Sequence, residues 1–489
     1  MSLNIRRCLI PDLALAAAGA TLCFALFLFD APRKLFRDSD TGWHIRMGEQ
    51  IVRSGALPDS DPYSFAKPGG KWIAWEWLAD VLMGFAHLRA GPGGVVLLYL
   101  TLIAAVTWLW FRLTWAAGGD FLLACLFASP FLSTANIHWL ARPHIFGWVL
   151  LSAWLLYLEK TARSAPAGSG RGVFSLGRRT AWTFAASFAG GALWANLHAS
   201  FFLMPLVAAL YATSTRCLAP ALGATAGTLV NPYGWRLHEH VLHYLADREL
   251  LARIGEFQTF NFHSEGAPQI ILTLALTGAG AVLAATRGRL HHAALLALFW
   301  VVALRSARGL PLLALLLPLA NAAIAAELRP RLARAFRYSA NLRKLELPFA
   351  GYLWIPLGML AAWVVLASPA VRTRTGFPPD QFPVAAAARV PVGAKLLAPD
   401  KFGGYLIYRF EGRLKVFVDG RSDYYGVGFL NNYIDLLQLR PGFEKQLRDW
   451  RFTHALIPPR YSLAAVLPLL GWRETYRDST AVLLEAPSP

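Results

Sequence analysis

From Leu13 to Ser368 this chain is a succession of apolar blocks separated by short polar links. An α-helix needs roughly 20 mostly apolar residues to cross a bilayer, and in hydrocarbon only helices and closed barrels satisfy every backbone group. Charged residues make up 16% of the 489 and hydrophobic residues 56%, whereas about 25% charged is usual in soluble domains. The expected fold is therefore an α-helical polytopic membrane protein with about eleven transmembrane helices. The spans are expected near 11–30, 94–114, 120–137, 143–159, 181–196, 199–215, 217–231, 269–286, 291–304, 309–327 and 350–368. The first of them follows Arg6 and Arg7 and resembles a signal peptide, but its apolar run continues past the Ala-rich part, so it reads as an uncleaved span.

The formal net charge is +18. The surplus sits in short loops between apolar blocks, which is a topology signal rather than a nucleic-acid footprint. The basic loops are Lys160–Arg179 (with Arg163, Arg171 and Arg178), the Arg216 turn, Arg287–His292, and Arg329–Lys344. They place the N-terminus on the cytoplasmic side. The opposite face receives a large first loop (about 31–93), the other odd-numbered loops and the whole C-terminal tail. Nearly all the remaining Asp, Glu, Asn and His falls on that face. A transporter would instead place ionisable groups near the bilayer midplane. Within the first loop, Ile73–Arg89 with Trp72, Trp75 and Trp77 reads as a helix lying in the interface.

Residues 1–370 thus form the membrane domain, and 376–489 a small extracytoplasmic α/β domain. Its β-like runs are Ala394–Ala398, Leu414–Val418, Thr453–Ile457, Trp472–Tyr476 and Ala481–Leu484, with helices at Gly428–Leu439 and Phe443–Trp450. The cysteines, Cys8, Cys23, Cys125 and Cys217, lie in or beside apolar segments and suggest no structural disulfide.

Soon after the first span comes Arg37-Asp38-Ser39-Asp40-Thr41-Gly42-Trp43-His44. Two carboxylates one residue apart can share general-base work or hold a divalent cation. Alternatively the segment is a solvated turn in which Asp40 caps a helix running to Gln50. A long span followed by a large outer loop that opens with an acidic pair resembles the glycosyltransferase superfamily C, the polytopic enzymes that use polyprenyl-phosphate sugars. Asp38–His44, with Gly48, Ile51, Gly55, Pro58 and Asp61–Phe65, is similar to a group of bacterial membrane proteins of this architecture. So are Trp75-Glu76-Trp77-Leu78, Arg142-Pro143, Asn231–Gly234 and Val418-Asp419-Gly420-Arg421.

That resemblance implies transfer of a sugar from a polyprenyl-phosphate carrier to an acceptor hydroxyl of a glycan, lipid or protein. Asp40, or else Asp38, would be the general base. The second carboxylate would orient its neighbours or help hold a metal, and no cofactor beyond an optional divalent cation is implied. His44, four residues after Asp40, reads as reaching back to it along a helix.

Arg142, Arg305 and Arg308 stand where spans meet the outer surface, at the depth of a lipid phosphate, and Arg offers a fork suited to phosphate oxygens. Snorkelling to ordinary headgroups is their other reading. His138 and His198 belong to a histidine-rich outer face, and Glu76 and Glu256 are further carboxylates placed to line a cavity or to anchor at the interface. His238–His243 lacks the spacing of a His-Glu-x-x-His zinc motif. Asp419-Gly420-Arg421 reads either as a strand-end ligand site or as an ion pair fixing a turn. No P-loop, dinucleotide fingerprint or serine-hydrolase elbow is present. Two other classes fit the same organisation: a non-enzymatic scaffold or sensor with a periplasmic binding domain, and a transporter or lipid flippase.

Overall fold

The computed structural model describes residues 7–163 and 178–487. Arg171, in the middle of the first basic loop, lies outside the described residues. The molecule is mostly helical, with one small sheet.

The membrane part is built from α1 (Leu13–Cys23, continued by a π turn to Leu28), α2 (Asp40–Ser54), α3 (Trp77–Ala117), α4 (Phe121–Ala135), α5 (His144–Arg163), α6 (Arg178–Leu197), α7 (Leu203–Thr215), α8 (Ala219–Thr228), α9 (Trp235–Ala246), α10 (Ala267–Thr286), α11 (Leu290–Arg305), α12 (Gly309–Leu315), α13 (Leu317–Leu328), α14 (Ala333–Glu346) and α15 (Trp354–Ala367). Each predicted span contains a helix. Among the described residues, five helices are long and apolar enough to cross a membrane, or six if the bent pair α12 and α13 is one span. The predicted count of eleven exceeds this because segments such as α8 and α15 have 10 and 14 residues. Such a helix reaches only about 15–21 Å at 1.5 Å per residue.

The predicted interfacial helix is not separate. It begins at Trp77 and runs into the second span, as one 41-residue element with a break at Ala90 and Gly91. Gly91 takes a positive φ, and Pro92 follows inside the helix, so the break has a local cause.

The tail contains α16 (Asp400–Arg409), α17 (Val427–Leu437), α18 (Phe443–Trp450) and α19 (Ser462–Leu469) around a four-stranded sheet. The strands are β1 (Leu396–Leu397), β2 (His454–Ile457), β3 (Arg473–Arg477) and β4 (Val482–Glu485), in the order β1-β2-β4-β3. β1 and β2 are parallel, and the other pairs are antiparallel. Leu414–Val418, predicted as a strand, makes only isolated bridges, from Val416 to Ser64 and to Leu396.

The tail does not pack alone. Its hydrophobic core includes Trp43, Met47, Ile51, Tyr63 and Trp72 of the first loop. Two glycine contacts set this docking. A Cβ on Gly42 would lie 2.2 Å from the Gly404 carbonyl oxygen, and one on Gly404 would lie 2.2 Å from the Ser39 carbonyl oxygen. The backbones of α2 and α16 therefore approach closer than any side chain allows. The Tyr405 amide also donates to Ser39 Oγ at 3.1 Å.

Candidate active site

The acidic pair sits at the start of α2. Asp40 is the first helical residue rather than the predicted cap; the Asp38 Oδ1 accepts the Asp40 amide at 2.8 Å and supplies the missing acceptor. Arg37 is fixed by donating to the carbonyls of Asn136 and Ile137 at 3.0 and 2.7 Å. The chain entering α2 is thus tied to the end of α4.

Arg142 stands between three carboxylates. Its Nη1 lies 2.9 Å from Asp38 Oδ2 and 2.9 Å from Glu256 Oε1, and its Nη2 lies 3.1 Å from Asp40 Oδ2. Arg308 holds the other oxygen of Glu256. The Glu256 carbonyl accepts from Ser306 Oγ at 3.0 Å and from the Arg308 amide at 3.2 Å, which ties the loop after α9 to the turn before α12.

Burial pushes the Asp40 carboxyl up to about 7; Arg142 opposes the shift, and Asp38 and Glu256 add to it. Burial also acts to raise Glu256, but Arg142 and Arg308 outweigh it and hold that carboxyl well below its usual range. Two carboxylates on one guanidinium are thereby driven apart: Glu256 stays ionised, and Asp40 exchanges a proton near neutrality. Because the Arg142 guanidinium bonds both Asp38 and Asp40, the pair as arranged does not fit a shared divalent cation.

The remaining predicted residues distribute as follows. His44 does not reach back to Asp40. Its Nδ1 bonds Asp80 Oδ1 at 2.6 Å, because α2 packs against α3 across Gly48 and Gly84. Burial, reinforced by Arg142, holds the His44 imidazole well below its ordinary value and so neutral. Glu76, immediately before α3, lies 3.3 Å from His198 Nε2 and 3.9 Å from His44 Nε2. Burial raises Glu76 to about 7, against the pull of Arg142 and Arg308. His198 accepts the Ser200 amide at the turn into α7. The His138 carbonyl accepts from His144 Nε2 at 2.8 Å, while the buried His138 Nδ1 has no partner among the described residues.

Every site residue predicted from the sequence, Arg305 included, lines one cavity of about 1450 Å³ between the helix ends and the tail. The tail contributes Asp400, Lys401, Arg460 and the 419–423 turn. A Cβ on Gly420 would lie 1.9 Å from Asp40 Oδ1, so the tail backbone forms one wall of the carboxylate's seat.

Within that turn Asp419 and Arg421 do pair, and the pair reaches further than the sequence suggests. Arg421 donates to Asp419 Oδ1 and Oδ2 at 2.8 and 2.7 Å and to Asp61 Oδ1 of the first loop at 2.5 Å, with all three side chains fully buried. Trp72 packs over the guanidinium at 4.8 Å. Asp61 enters the sequence reading only as part of the stretch that carries the resemblance, with no role of its own, and Asp80 does not enter it. The only signal for Asp80 is a carboxylate inside an otherwise apolar helical run.

No family model matches the chain, and no curated protein matches it. Among solved structures, the chain is similar to the oligosaccharyltransferase of Archaeoglobus fulgidus in its apo form. The TM-score is 0.52 and the identity 11%, over 91% of this chain and 69% of that one. The likeness is one of fold.

Proposed function

We propose that this protein is a membrane glycosyltransferase. It moves a sugar from a polyprenyl-phosphate carrier to an acceptor hydroxyl at the outer face of a bacterial inner membrane, with the N-terminus cytoplasmic and the tail outside. One observation carries the reading: a buried carboxylate balanced near neutrality, with its arginine partner, faces a cavity large enough for a lipid-linked sugar, at the ends of membrane helices. A general base works best when its pKa lies near the working pH. The similarity to an oligosaccharyltransferase fold supports the same class.

In the proposed step the acceptor oxygen attacks the anomeric carbon while Asp40 takes the hydroxyl proton. The bond from that carbon to the phosphate oxygen breaks, and the electron pair leaves on the carrier phosphate. Direct displacement inverts the anomeric centre. Arg308 and Arg305 neutralise the leaving phosphate. Arg142 and Asp38 hold Asp40 in place, and Glu256 orients Arg142 and Arg308. His138 Nδ1, which has no partner among the described residues, and the Glu76–His198 pair are available to sugar hydroxyls.

Native mass spectrometry of the purified protein with polyprenyl-phosphate sugars tests the reading, followed by transfer assays with whichever donor binds. Asp40→Asn keeps the shape of the carboxylate but cannot accept the proton. It should retain the donor and lose about 10²–10⁴-fold in transfer rate, while Arg308→Ala should weaken donor binding. Absence of any bound carrier on folded protein, or full activity in Asp40→Asn, rejects the proposal.

A further inference from the structure

At the other end of the bundle lies a second cluster of chemistry-bearing side chains. Glu159 is on the last turns of α5, and His291 and His292 open α11. α5 begins at His144 in the cavity wall, and Glu159 follows 15 residues later, about 22 Å along the helix at 1.5 Å per residue. α11 ends at Arg305, also in that wall, and His292 lies about 20 Å back along it. The cluster is therefore remote from the Asp40 cavity, and its histidines fall in a segment whose sequence reads only as a basic topology signal.

Four facts distinguish it from a chance gathering. One donor atom from each of Glu159, His291 and His292 lies within 4.8 Å of the others. Glu159 and His292 are buried, and the Glu159 carboxylate is further oriented by the Tyr211 hydroxyl, which donates to Oε1 at 2.6 Å. His292 Nε2 meets the same oxygen at 2.6 Å, yet its buried Nδ1 has no partner among the described residues. His291 Nδ1 pairs with Ser214 Oγ at 2.8 Å, which fixes its ring and directs the other nitrogen.

We propose that Glu159, His291 and His292 form a transition-metal site for Zn²⁺ or a similar borderline divalent ion. Two imidazoles and one carboxylate are a ligand set these ions accept, with a fourth position left for water or a further ligand. Bonds of 2.0–2.1 Å in a tetrahedron place donor atoms about 3.3 Å apart. Reaching that spacing opens the 2.6 Å contact between Glu159 Oε1 and His292 Nε2 by roughly 0.7 Å and draws His291 in by at most about 1.5 Å from the 4.8 Å limit. The metal takes the place of the proton that now bridges Glu159 and His292. Tyr211 and Ser214 serve as outer partners that orient the ligands. The site would clamp α5 to α11, and its existence does not depend on the transfer reaction.

The test uses the full-length protein in detergent, carrying a histidine-free tag and stripped with chelator. It is titrated with Co²⁺, read by visible absorption, and then with Zn²⁺ in competition. The expected result is one equivalent of metal, with affinity lowered at least tenfold in His291→Ala and in Glu159→Gln and unchanged in His263→Ala, an exposed histidine elsewhere. Glu159→Gln keeps a hydrogen-bonding oxygen for Tyr211, so it separates loss of a ligand from loss of folding. If the wild type binds no Co²⁺, or if binding is the same in both ligand variants, the cluster is a hydrogen-bonded anchor only and the proposal is overturned.

Discussion

The seat of Asp40 offers a test that leaves the carboxylate itself unaltered. Gly420 has no positive φ, so alanine fits its backbone, but the added methyl would lie 1.9 Å from Asp40 Oδ1, 2.7 Å from Cγ and 2.9 Å from Oδ2. An ordinary carbon–oxygen contact is about 3.5 Å, so the carboxylate must withdraw by roughly 1.5 Å. The fold survives, because the clashing atoms end a side chain that can rotate. The 3.1 Å contact with Arg142 does not survive that rotation. A misplacement of about 1 Å at a reacting group costs on the order of 10²-fold in rate. Gly420→Ala should therefore keep donor affinity and thermal stability but lower single-turnover transfer by about that factor. Gly428→Ala is the control, since a methyl there meets nothing within 4 Å. A Gly420→Ala protein that transfers sugar at the wild-type rate would mean that the position of Asp40 does not govern the reaction.

Three further outcomes follow from the same geometry. Because Asp40 must be ionised to act and is raised to about 7, kcat/KM should rise with pH through an acidic limb near that value. Replacing Arg142 with Gln removes the main charge favouring ionisation, so the limb in a pH–rate profile should move to higher pH; a limb that stays put or moves down contradicts the assignment. Arg421→Met leaves Asp61 and Asp419 buried without their cation, and breaking such a pair by removing one partner costs about 3–5 kcal/mol, which thermal unfolding in detergent would register as a large loss.

The membrane class and the gathering of charged residues at one end were legible for a single reason. In a chain so short of charge, each Asp, Glu or Arg at the end of an apolar run stands out, and the structure collects Asp38, Asp40, Arg142, Glu256 and Arg308 around one cavity. Pairings made across the chain were not legible. Asp61 and Arg421 are 360 positions apart, and neither residue's local pattern announces the other. Asp80 sits in an apolar run with nothing in its local pattern to mark it, yet it is the partner that takes His44 away from Asp40. Helix α16 was missed because Gly403 and Gly404 argue against a helix by propensity.

Those glycines give the reason the first loop and the tail belong to one site. At Gly404 a side chain would strike the Ser39 carbonyl, at Gly403 the Val418 carbonyl, and at Gly42 the Gly404 carbonyl. The same residues that weaken α16 as an isolated helix let it lie directly on the start of α2. Local propensity is given up where the two backbones must touch. The acidic pair is thus positioned from below by Arg142 at the membrane helix ends and from above by the tail backbone at Gly420. Neither half alone fixes Asp40.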